Sequence, residues 1–306
     1  MKKVLITGGA GTVGTAFIKE YYDQYEFYNF SRGEHQIAKL SSNFPKVKSI
    51  IGNICDPEYL INTFENIQPD IVIHAAALKH VNLAELNPSQ TIDINLMGSL
   101  NVIKASVRAK VPITIGISTD KACSPENVYG YSKKMMEMMF MEHHNEKTKF
   151  VCTRFANVAK SYGSVIPFWK SLAAKGEPLK LTDPNMNRLM FSKAESAKLI
   201  QKAIDYTKKF KGSFVLSKVM NTINMLELAK IISDDIEVVG ARPGEKVNEI
   251  LISEKELPFT FYSKKQTGPY IFLFDKKQKE EYNLSKELSS ASAKKMSTEQ
   301  ISEIIS

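Results

Sequence analysis

The sequence predicts an α/β chain built on a mostly parallel, doubly wound sheet, with a smaller C-terminal substrate domain partly interleaved with it. Three observations carry that prediction. Short apolar runs bounded by turn residues recur through the first half, stretches of helical period separate them, and a glycine-rich turn directly follows the first run. Alternation of this kind builds crossover units and a parallel sheet.

Lys3 to Thr7 is the first strand, and Gly8-Gly9-Ala10-Gly11-Thr12-Val13-Gly14 leads into a helix ending near Tyr22. Glu26 to Ser31 and Lys48 to Ile51 are the second and third strands, the latter running into Gly52-Asn53-Ile54-Cys55-Asp56. Asp70 to His74 is the fourth, and runs such as Ile71-Val72-Ile73 suit a sheet covered on both faces. Ser89 to about Arg108 reads as a helix, with Ile92, Leu96, Leu100 and Ile103 on one face. Pro112 to Ile117 is the fifth strand, Tyr129 to His143 a helix, and Phe150 to Phe155 the sixth strand. Beyond about Tyr162 the pattern is less regular, punctuated by Pro167, Pro178, Pro184 and Pro243. Residues 1–163 are therefore read as one domain, to which later segments return, and 164–306 as mainly a second. Ser297 and Gln300 offer a capping box to a final helix.

The 306 residues are 43% hydrophobic and 24% charged, which excludes collagen-like, disordered and coiled-coil chains. No run approaches about 18 apolar residues, so no transmembrane helix is expected. Val4-Leu5-Ile6 stops at Thr7-Gly8-Gly9, too short for a signal peptide, and a cytoplasmic location is expected. Three cysteines (Cys55, Cys123, Cys152) and five histidines form no ligand-spaced cluster, so neither a disulfide framework nor a metal site is expected. The net charge of +8 suits nucleic acid or a multiply charged anionic small molecule. No basic stripe interleaved with aromatics supports nucleic acid. The lysines at 208, 209, 211, 264, 265, 276, 277 and 279 read as solvated faces.

Gly8, Gly11 and Gly14 are spaced Gly-x-x-Gly-x-x-Gly between a strand and a helix. Glycine permits the tight turn and the close approach of backbone to a pyrophosphate. The helix N-terminus adds N–H groups and a dipole. Gly8, Gly11, Thr12, Val13 and Gly14 are thus read as a dinucleotide loop in a Rossmann-type arrangement. Ser31-Arg32-Gly33-Glu34 ends the second strand. An acid there bonds a ribose 2′-hydroxyl, whereas an arginine accommodates a 2′-phosphate. Arg32 comes first, so NADP is expected ahead of NAD, which Glu34 keeps open. Asn53 and Ile54 are placed to meet the adenine, and Ala75, Ala76 and Ala77 let a cofactor lie against backbone.

Ser118-Thr119-Asp120-Lys121 closes the fifth strand, and Tyr129-Gly130-Tyr131-Ser132-Lys133 opens the next helix. Tyr129 and Lys133, four apart, share one helical face. A nearby ammonium lowers a phenol's pKa, so Tyr129 can take a proton from a hydroxyl. Lys133 can also hold a nicotinamide ribose.

On these motifs the chain resembles the extended short-chain dehydrogenases/reductases. Within them it is similar to the inverting UDP-N-acetylglucosamine 4,6-dehydratases of bacterial surface-sugar synthesis. The resemblance spans almost the whole chain. It includes His74-Ala75-Ala76-Ala77-Leu78-Lys79-His80-Val81, Glu85-Leu86-Asn87-Pro88, Asn95-Leu96-Met97-Gly98 and Asn127-Val128-Tyr129-Gly130. Gly163-Ser164-Val165-Ile166-Pro167-Phe168 also matches, and Thr119-Asp120-Lys121 and Arg242-Pro243-Gly244-Glu245-Lys246 discriminate most. The resemblance implies a hydro-lyase with retained NADP and a UDP-sugar substrate. Tyr129 would deprotonate the 4-hydroxyl, Thr119 would bond the 4-oxygen, Lys121 would take the carbon-5 proton, and Asp120 would protonate the departing 6-hydroxyl. Lys121 must be neutral for that role; burial and Lys133 would push its pKa down, and Asp120 would oppose them. Asn95 falls on the cofactor side. Lys79, His80, Asn157, Ser164, Val165, Arg188, Arg242 and Glu245 match substrate-side positions, and Glu249 falls near the ribose or a second-domain helix. Arg242 and Glu245 have the alternative of simply pairing with each other.

Leu189-Met190-Phe191 and Phe155-Ala156-Asn157 depart from the family forms, which leaves a GDP- or CDP-sugar open. A UDP-sugar 4-epimerase or reductase is a second reading, disfavoured because such reactions need no Asp120-Lys121 pair. A non-enzymatic dinucleotide sensor or RNA-binding protein is a third; Tyr129 with Lys133 disfavours the sensor, and the lack of an aromatic-interleaved basic stripe disfavours the RNA-binding protein. Met135 to Met141 makes a helix apolar nearly all round, expected to be buried on several sides. In the family the chain resembles, this helix and the Asn95–Arg108 helix build the four-helix bundle of a dimer, so the resemblance implies a homo-oligomer. Cys123 reads as a small packing residue and His143-His144 as a favourable C-terminal end of that helix.

Overall fold

The computed structural model describes residues 1–242, 244–262, 270–274, 276 and 284–305. Pro243 and the lysines 264, 265, 277 and 279 lie outside the described residues. The chain opens with β1 (Lys2–Thr7), α1 (Thr12–Tyr21), β2 (Tyr25–Ser31), α2 (Glu34–Asn43), β3 (Lys48–Ile51), α3 (Pro57–Ile67) and β4 (Ile71–His74). Then come α4 (Val81–Leu86), α5 (Pro88–Thr91), a π-helical turn (Ile92–Met97), α6 (Gly98–Arg108) and β5 (Ile113–Thr119). A 3-10 turn (Asp120–Ala122) leads to α7 (Val128–His143) and β6 (Lys149–Phe155). The remainder holds β7 (Asn157–Val158), α8 (Val165–Ala173), β8 (Leu179–Leu181), β9 (Asn187–Phe191), α9 (Lys193–Tyr206) and β10 (Phe214–Lys218). It ends with β11 (Thr222–Asn224), α10 (Met225–Ile232), β12 (Ile236–Val238), β13 (Ile250–Ile252), β14 (Thr260–Tyr262), β15 (Tyr270–Phe274), β16 (Leu288–Ser289) and α11 (Thr298–Ile305).

The main sheet has the order β3-β2-β1-β4-β5-β6-β10-β15-β14. Its first seven strands are parallel, and β15 and β14 continue it antiparallel. The order reverses between β1 and β4, so a crevice opens at their C-terminal ends, where such folds bind ligands. Strands β10, β14 and β15 come from the second half of the chain, and their Phe214, Phe261, Ile271 and Phe272 complete the core that holds Phe155. A separate core around Trp169, Leu172, Leu179 and Leu228 packs beneath α8, α10 and α11. Ser297 and Gln300 cap α11 reciprocally, at 3.0 and 3.3 Å.

Two helices differ from the sequence reading. The stretch after Pro88 is interrupted by the π-helical turn, which rotates the register. The buried face is therefore Ile94, Val102, Ile103 and Ala105, while Ile92 is 48% exposed. In α7 only Met136 and Phe140 of the apolar run are fully buried, and Met135 and Met138 are 46% and 53% exposed. His143 and His144 lie against the carbonyls of Met139, Phe150 and Lys211.

Candidate active site

The glycine turn is a cradle that side chains would fill. Gly8 has φ +73°, and a Cβ there would lie 2.8 Å from the Ala76 nitrogen. A Cβ on Gly14 would meet the Gly9 Cα at 2.5 Å. Gly11 caps α1 without a side-chain acceptor, which leaves the first-turn N–H groups for an anion. These features fit a dinucleotide pyrophosphate. Ser31 and the Ala10 N–H both bond Asn29 Oδ1, at 2.6 and 3.1 Å, and so tie the turn to the end of β2. Arg32, next in the chain, is exposed. Asn53 Oδ1 accepts from the Cys55 N–H at 3.1 Å, and the Ile54 side chain is buried against Gly98. The Asn95 amide is occupied by the Leu78 N–H and carbonyl, at 2.8 and 2.9 Å, and by Ser132 at 2.9 Å. It shapes the loop that begins at Ala75, Ala76 and Ala77.

β5 delivers the reactive groups. It ends at Thr119, and the tight turn that follows carries Asp120 and Lys121. Asn127 caps α7 by accepting the Gly130 N–H at 2.7 Å. A Cβ on Gly130 would lie 2.3 Å from the Lys121 carbonyl oxygen, so glycine lets α7 pack directly on the turn. Tyr129 is thereby brought beside Thr119, Asp120 and Lys121. Thr119 Oγ1 donates to Asp120 Oδ1 at 2.9 Å. The Lys121 ammonium lies 3.1 Å from Asp120 Oδ1 and 3.1 Å from Glu249 Oε1. Asp120 Oδ2 is buried with no hydrogen-bond partner among the described residues, which suits a group meant for a ligand.

Burial raises the Asp120 pKa, with Glu249 adding to it and Lys121 opposing. Burial also pushes the Tyr129 phenol up to about 12, against the Lys121 ammonium and the Thr119 hydroxyl. Two expectations are corrected here. The cation acting on Tyr129 is Lys121, because Lys133 turns inward and donates to the Ile117 carbonyl at 2.8 Å. Burial lowers Lys133 to about 8. For Lys121, burial does favour the neutral form, with Arg188 rather than Lys133 assisting, but Asp120 and Glu249 outweigh both and raise its pKa.

On the substrate side, Lys79 Nζ donates to the Tyr162 carbonyl at 2.5 Å, and the Tyr162 N–H donates to Thr12 Oγ1 at 3.0 Å. His80 lies against Gly163, where a Cβ would be 2.6 Å from its ring. Burial lowers the pKa of both Lys79 and His80. Ser164 precedes Val165 at the start of α8, and its buried Oγ has no partner among the described residues. Asn157 Nδ2 donates to the Leu189 carbonyl at 3.1 Å. The Arg188 guanidinium donates to the carbonyls of Asn187, Lys246 and Val247, at 2.8 to 3.0 Å. Arg242 and Glu245 pair through the main chain: the Arg242 N–H donates to Glu245 Oε2 at 3.2 Å, and the Glu245 N–H to the Arg242 carbonyl at 3.1 Å.

Sequence reasoning missed what stands behind this cluster. Glu249, read from the sequence as near the ribose or a second-domain helix, is a direct partner of Lys121, a contact that reading did not include. Glu137, Arg154 and Glu256 form a buried ion network under β5, and Ser118 donates to Glu137 at 2.6 Å. The one available signal was Glu137 itself, an acid inside a methionine run and four residues from Lys133.

A parallel sheet with a glycine cradle at its switch point, and a Tyr-x-x-x-Lys helix beside an acid–lysine turn, defines an extended short-chain dehydrogenase/reductase. More narrowly, the chain belongs to the polysaccharide biosynthesis protein family, whose model matches residues 4–268. It is 34% identical over 289 residues to the UDP-N-acetylglucosamine 4,6-dehydratase (inverting) of Campylobacter jejuni, covering 90% of this chain and 85% of that protein. It is also 34% identical over 274 residues to a UDP-glucose 4-epimerase of Rickettsia bellii, covering 84% and 79%. The X-ray structure of Pen from Bacillus thuringiensis superposes with a TM-score of 0.89 at 29% identity, covering 99% of this chain and 96% of that one. Among the described residues no helix is long and apolar enough to cross a membrane.

Proposed function

We propose that this protein is a nucleotide-sugar 4,6-dehydratase acting on UDP-N-acetylglucosamine, with inversion at carbon 5 and a retained NADP. The observation that carries the reading is the buried cluster of Asp120, Lys121 and Tyr129, with Asp120 Oδ2 unpartnered. Loss of water across carbons 5 and 6 needs an acid and a base side by side, which oxidation at carbon 4 alone does not. The name of the Campylobacter relative supports it.

Gly8, Gly11, Thr12, Val13 and Gly14 would hold the pyrophosphate. Ser31 and Arg32 would meet the 2′-phosphate, Asn53 and Ile54 the adenine. The segment Ala75–Ala77, shaped by Asn95, would meet the rest of the dinucleotide, and Lys133 would reach the ribose by turning its ammonium from the Ile117 carbonyl. A bound nicotinamide would take hydride from carbon 4 and return it at carbon 6. Tyr129 takes the 4-hydroxyl proton while Thr119 bonds the 4-oxygen. Lys121, once neutral, takes the carbon-5 proton, and Asp120 gives its proton to the departing 6-hydroxyl. A solvent-derived proton added to carbon 5 from the opposite face, as hydride arrives at carbon 6, completes the reaction with inversion. Lys79, His80, Asn157, Ser164, Val165, Arg188, Arg242 and Glu245 would line the path of the sugar nucleotide, where guanidinium forks suit phosphate oxygens. Ile92, Met97, Tyr131, Met135 and Met138 leave an exposed apolar face on neighbouring helices, which supports a homo-oligomer.

The test is mass spectrometry of UDP-N-acetylglucosamine incubated with the purified protein in heavy water, with no cofactor added. Loss of one water with one deuterium at carbon 5 is the expected result, and an NMR spectrum of the product then gives the configuration. The Rickettsia relative favours a second reading, 4-epimerisation. That outcome would leave the mass unchanged and yield a new sugar by NMR.

A further inference from the structure

Glu249 has no part in the chemistry proposed above, yet it is buried within that site. Its side chain is 4% exposed, and its Oε1 is as near the Lys121 ammonium, at 3.1 Å, as Asp120 Oδ1 is. It reaches the site from a different part of the chain. It sits immediately before β13, which pairs with β16, and its N–H donates to Ser290 Oγ at 2.9 Å while the Ser290 N–H returns to its carbonyl at 2.8 Å. A carboxylate this buried needs a partner, and Lys121 is the cation it touches.

We propose that Glu249 is a positioning residue of this site, holding the Lys121 ammonium as its second carboxylate and keeping that lysine a cation while no substrate is bound. The proposal rests on the dehydratase reading, in which Lys121 must lose its proton before it can take one from carbon 5. The charged and titratable groups around the lysine are Asp120 in its own turn, Glu249 before β13, Tyr129 on α7 and Arg188 on β9, with Lys246 acting on Glu249. Asp120 has a second oxygen for the ligand; Glu249 is the anchor that stays with the lysine when Asp120 turns to chemistry. Removing one of two carboxylates must ease proton loss from Lys121.

The experiment follows deuterium uptake at carbon 5 of UDP-N-acetylglucosamine from about pH 6 to about pH 10 in wild type, Glu249→Gln and Glu249→Asp. Exchange rises with pH as Lys121 becomes neutral. In Glu249→Gln the rising limb moves to lower pH by about one unit or more, while Glu249→Asp keeps its limb near that of wild type. A loss of exchange at every pH with an unmoved limb, or a limb moved to higher pH, overturns the proposal. Competitive acetylation of Lys121, read by peptide mass spectrometry across the same range, reports the lysine without turnover. There too the Gln variant must become reactive at lower pH, and an unchanged profile overturns the proposal. A wild type that leaves the sugar nucleotide unaltered sinks the dehydratase reading alone, since the acetylation profile still decides the role of Glu249.

Discussion

The guanidinium of Arg154 donates to both carboxylate oxygens of Glu256, at 2.9 and 3.0 Å, although the two residues are 102 positions apart. Arg154 is fully buried at the end of β6, and it also grips both oxygens of Glu137 on α7, at 3.0 and 2.7 Å. Cys123, just after the Asp120–Ala122 turn, donates its thiol to Glu256 at 3.1 Å, and burial pushes that thiol up to about 12. The C-terminal segment is thus fastened through β6 to α7, which carries the tyrosine, and through Cys123 to the end of the turn that carries the acid and the lysine.

Breaking that fastening has a measurable cost. Glu256→Gln leaves Arg154 short of a buried anion, and a loss of about 3–5 kcal/mol is expected in chemical unfolding at neutral pH. Burial would raise the Glu256 carboxyl, but Arg154 outweighs it and holds the group down to about 2. A depressed carboxyl stabilises the fold above its unfolded value and loses that contribution as pH falls through the folded one. Wild type should therefore lose stability steeply between about pH 4.5 and pH 2, and Glu256→Gln should show a shallower decline over that range. Equal slopes would show that the pair carries no such linkage.

Tyr129→Phe preserves the ring that packs beneath the cleft and removes only the hydroxyl. Turnover is expected to fall by about 10²–10⁴, with the unfolding midpoint nearly unchanged. Because burial pushes the Tyr129 phenol up to about 12, wild-type turnover should climb on the alkaline side as the phenol becomes easier to ionise. A Phe variant that retains most of its rate would remove Tyr129 from the chemistry.

The parallel sheet was legible because each strand carries its own local signature, as Ile71-Val72-Ile73 does, bounded by turn residues. The glycine turn and the Thr119–Lys121 and Tyr129–Lys133 segments were legible for the same reason: their spacing is local. The destinations of two charged side chains were not. Glu249 meets Lys121 across 128 positions, through a strand pairing that no nearby pattern announces. Lys133 was misread because a shared helical face says which side a lysine leaves from, not whether its ammonium ends at a phenol or at the Ile117 carbonyl. The π-helical turn was likewise invisible, since one inserted residue changes the face without changing the composition.

The choice between the two dinucleotides turns on Arg32, exposed where β2 ends and beside the Ser31 that anchors the glycine turn. If a 2′-phosphate sits there, Arg32→Ala removes one charge-assisted contact. Affinity for NADP should drop by about ten- to a hundredfold with that for NAD little changed. Calorimetry with each dinucleotide on the cofactor-stripped protein measures this. Equal losses for both would show that Arg32 does not read the phosphate.

His74 gives the fold a second acid-sensitive element directly beneath the cradle. Its ring nitrogens lie 2.8 Å from Thr7 Oγ1 and 2.9 Å from Ser99 Oγ, so it links β1, β4 and α6 as a neutral ring. Burial, with a smaller push from Lys133, lowers its pKa to about 3. The unfolded chain binds a proton at this position near the ordinary histidine value, whereas the folded chain does so only near pH 3. Stability is thus complete above about pH 6.5 and is lost as pH falls toward 3, by roughly 4–5 kcal/mol from this group alone. His74→Gln should be less stable at neutral pH, since the amide spans the two hydroxyls imperfectly, yet its stability should decline less between about pH 6.5 and pH 4.5, above the range in which Glu256 acts. Urea midpoints at several pH values for the two proteins make the comparison. Parallel curves would mean that His74 takes up its proton in the fold as readily as in the unfolded chain, so that the Thr7–His74–Ser99 link does not hold the ring neutral.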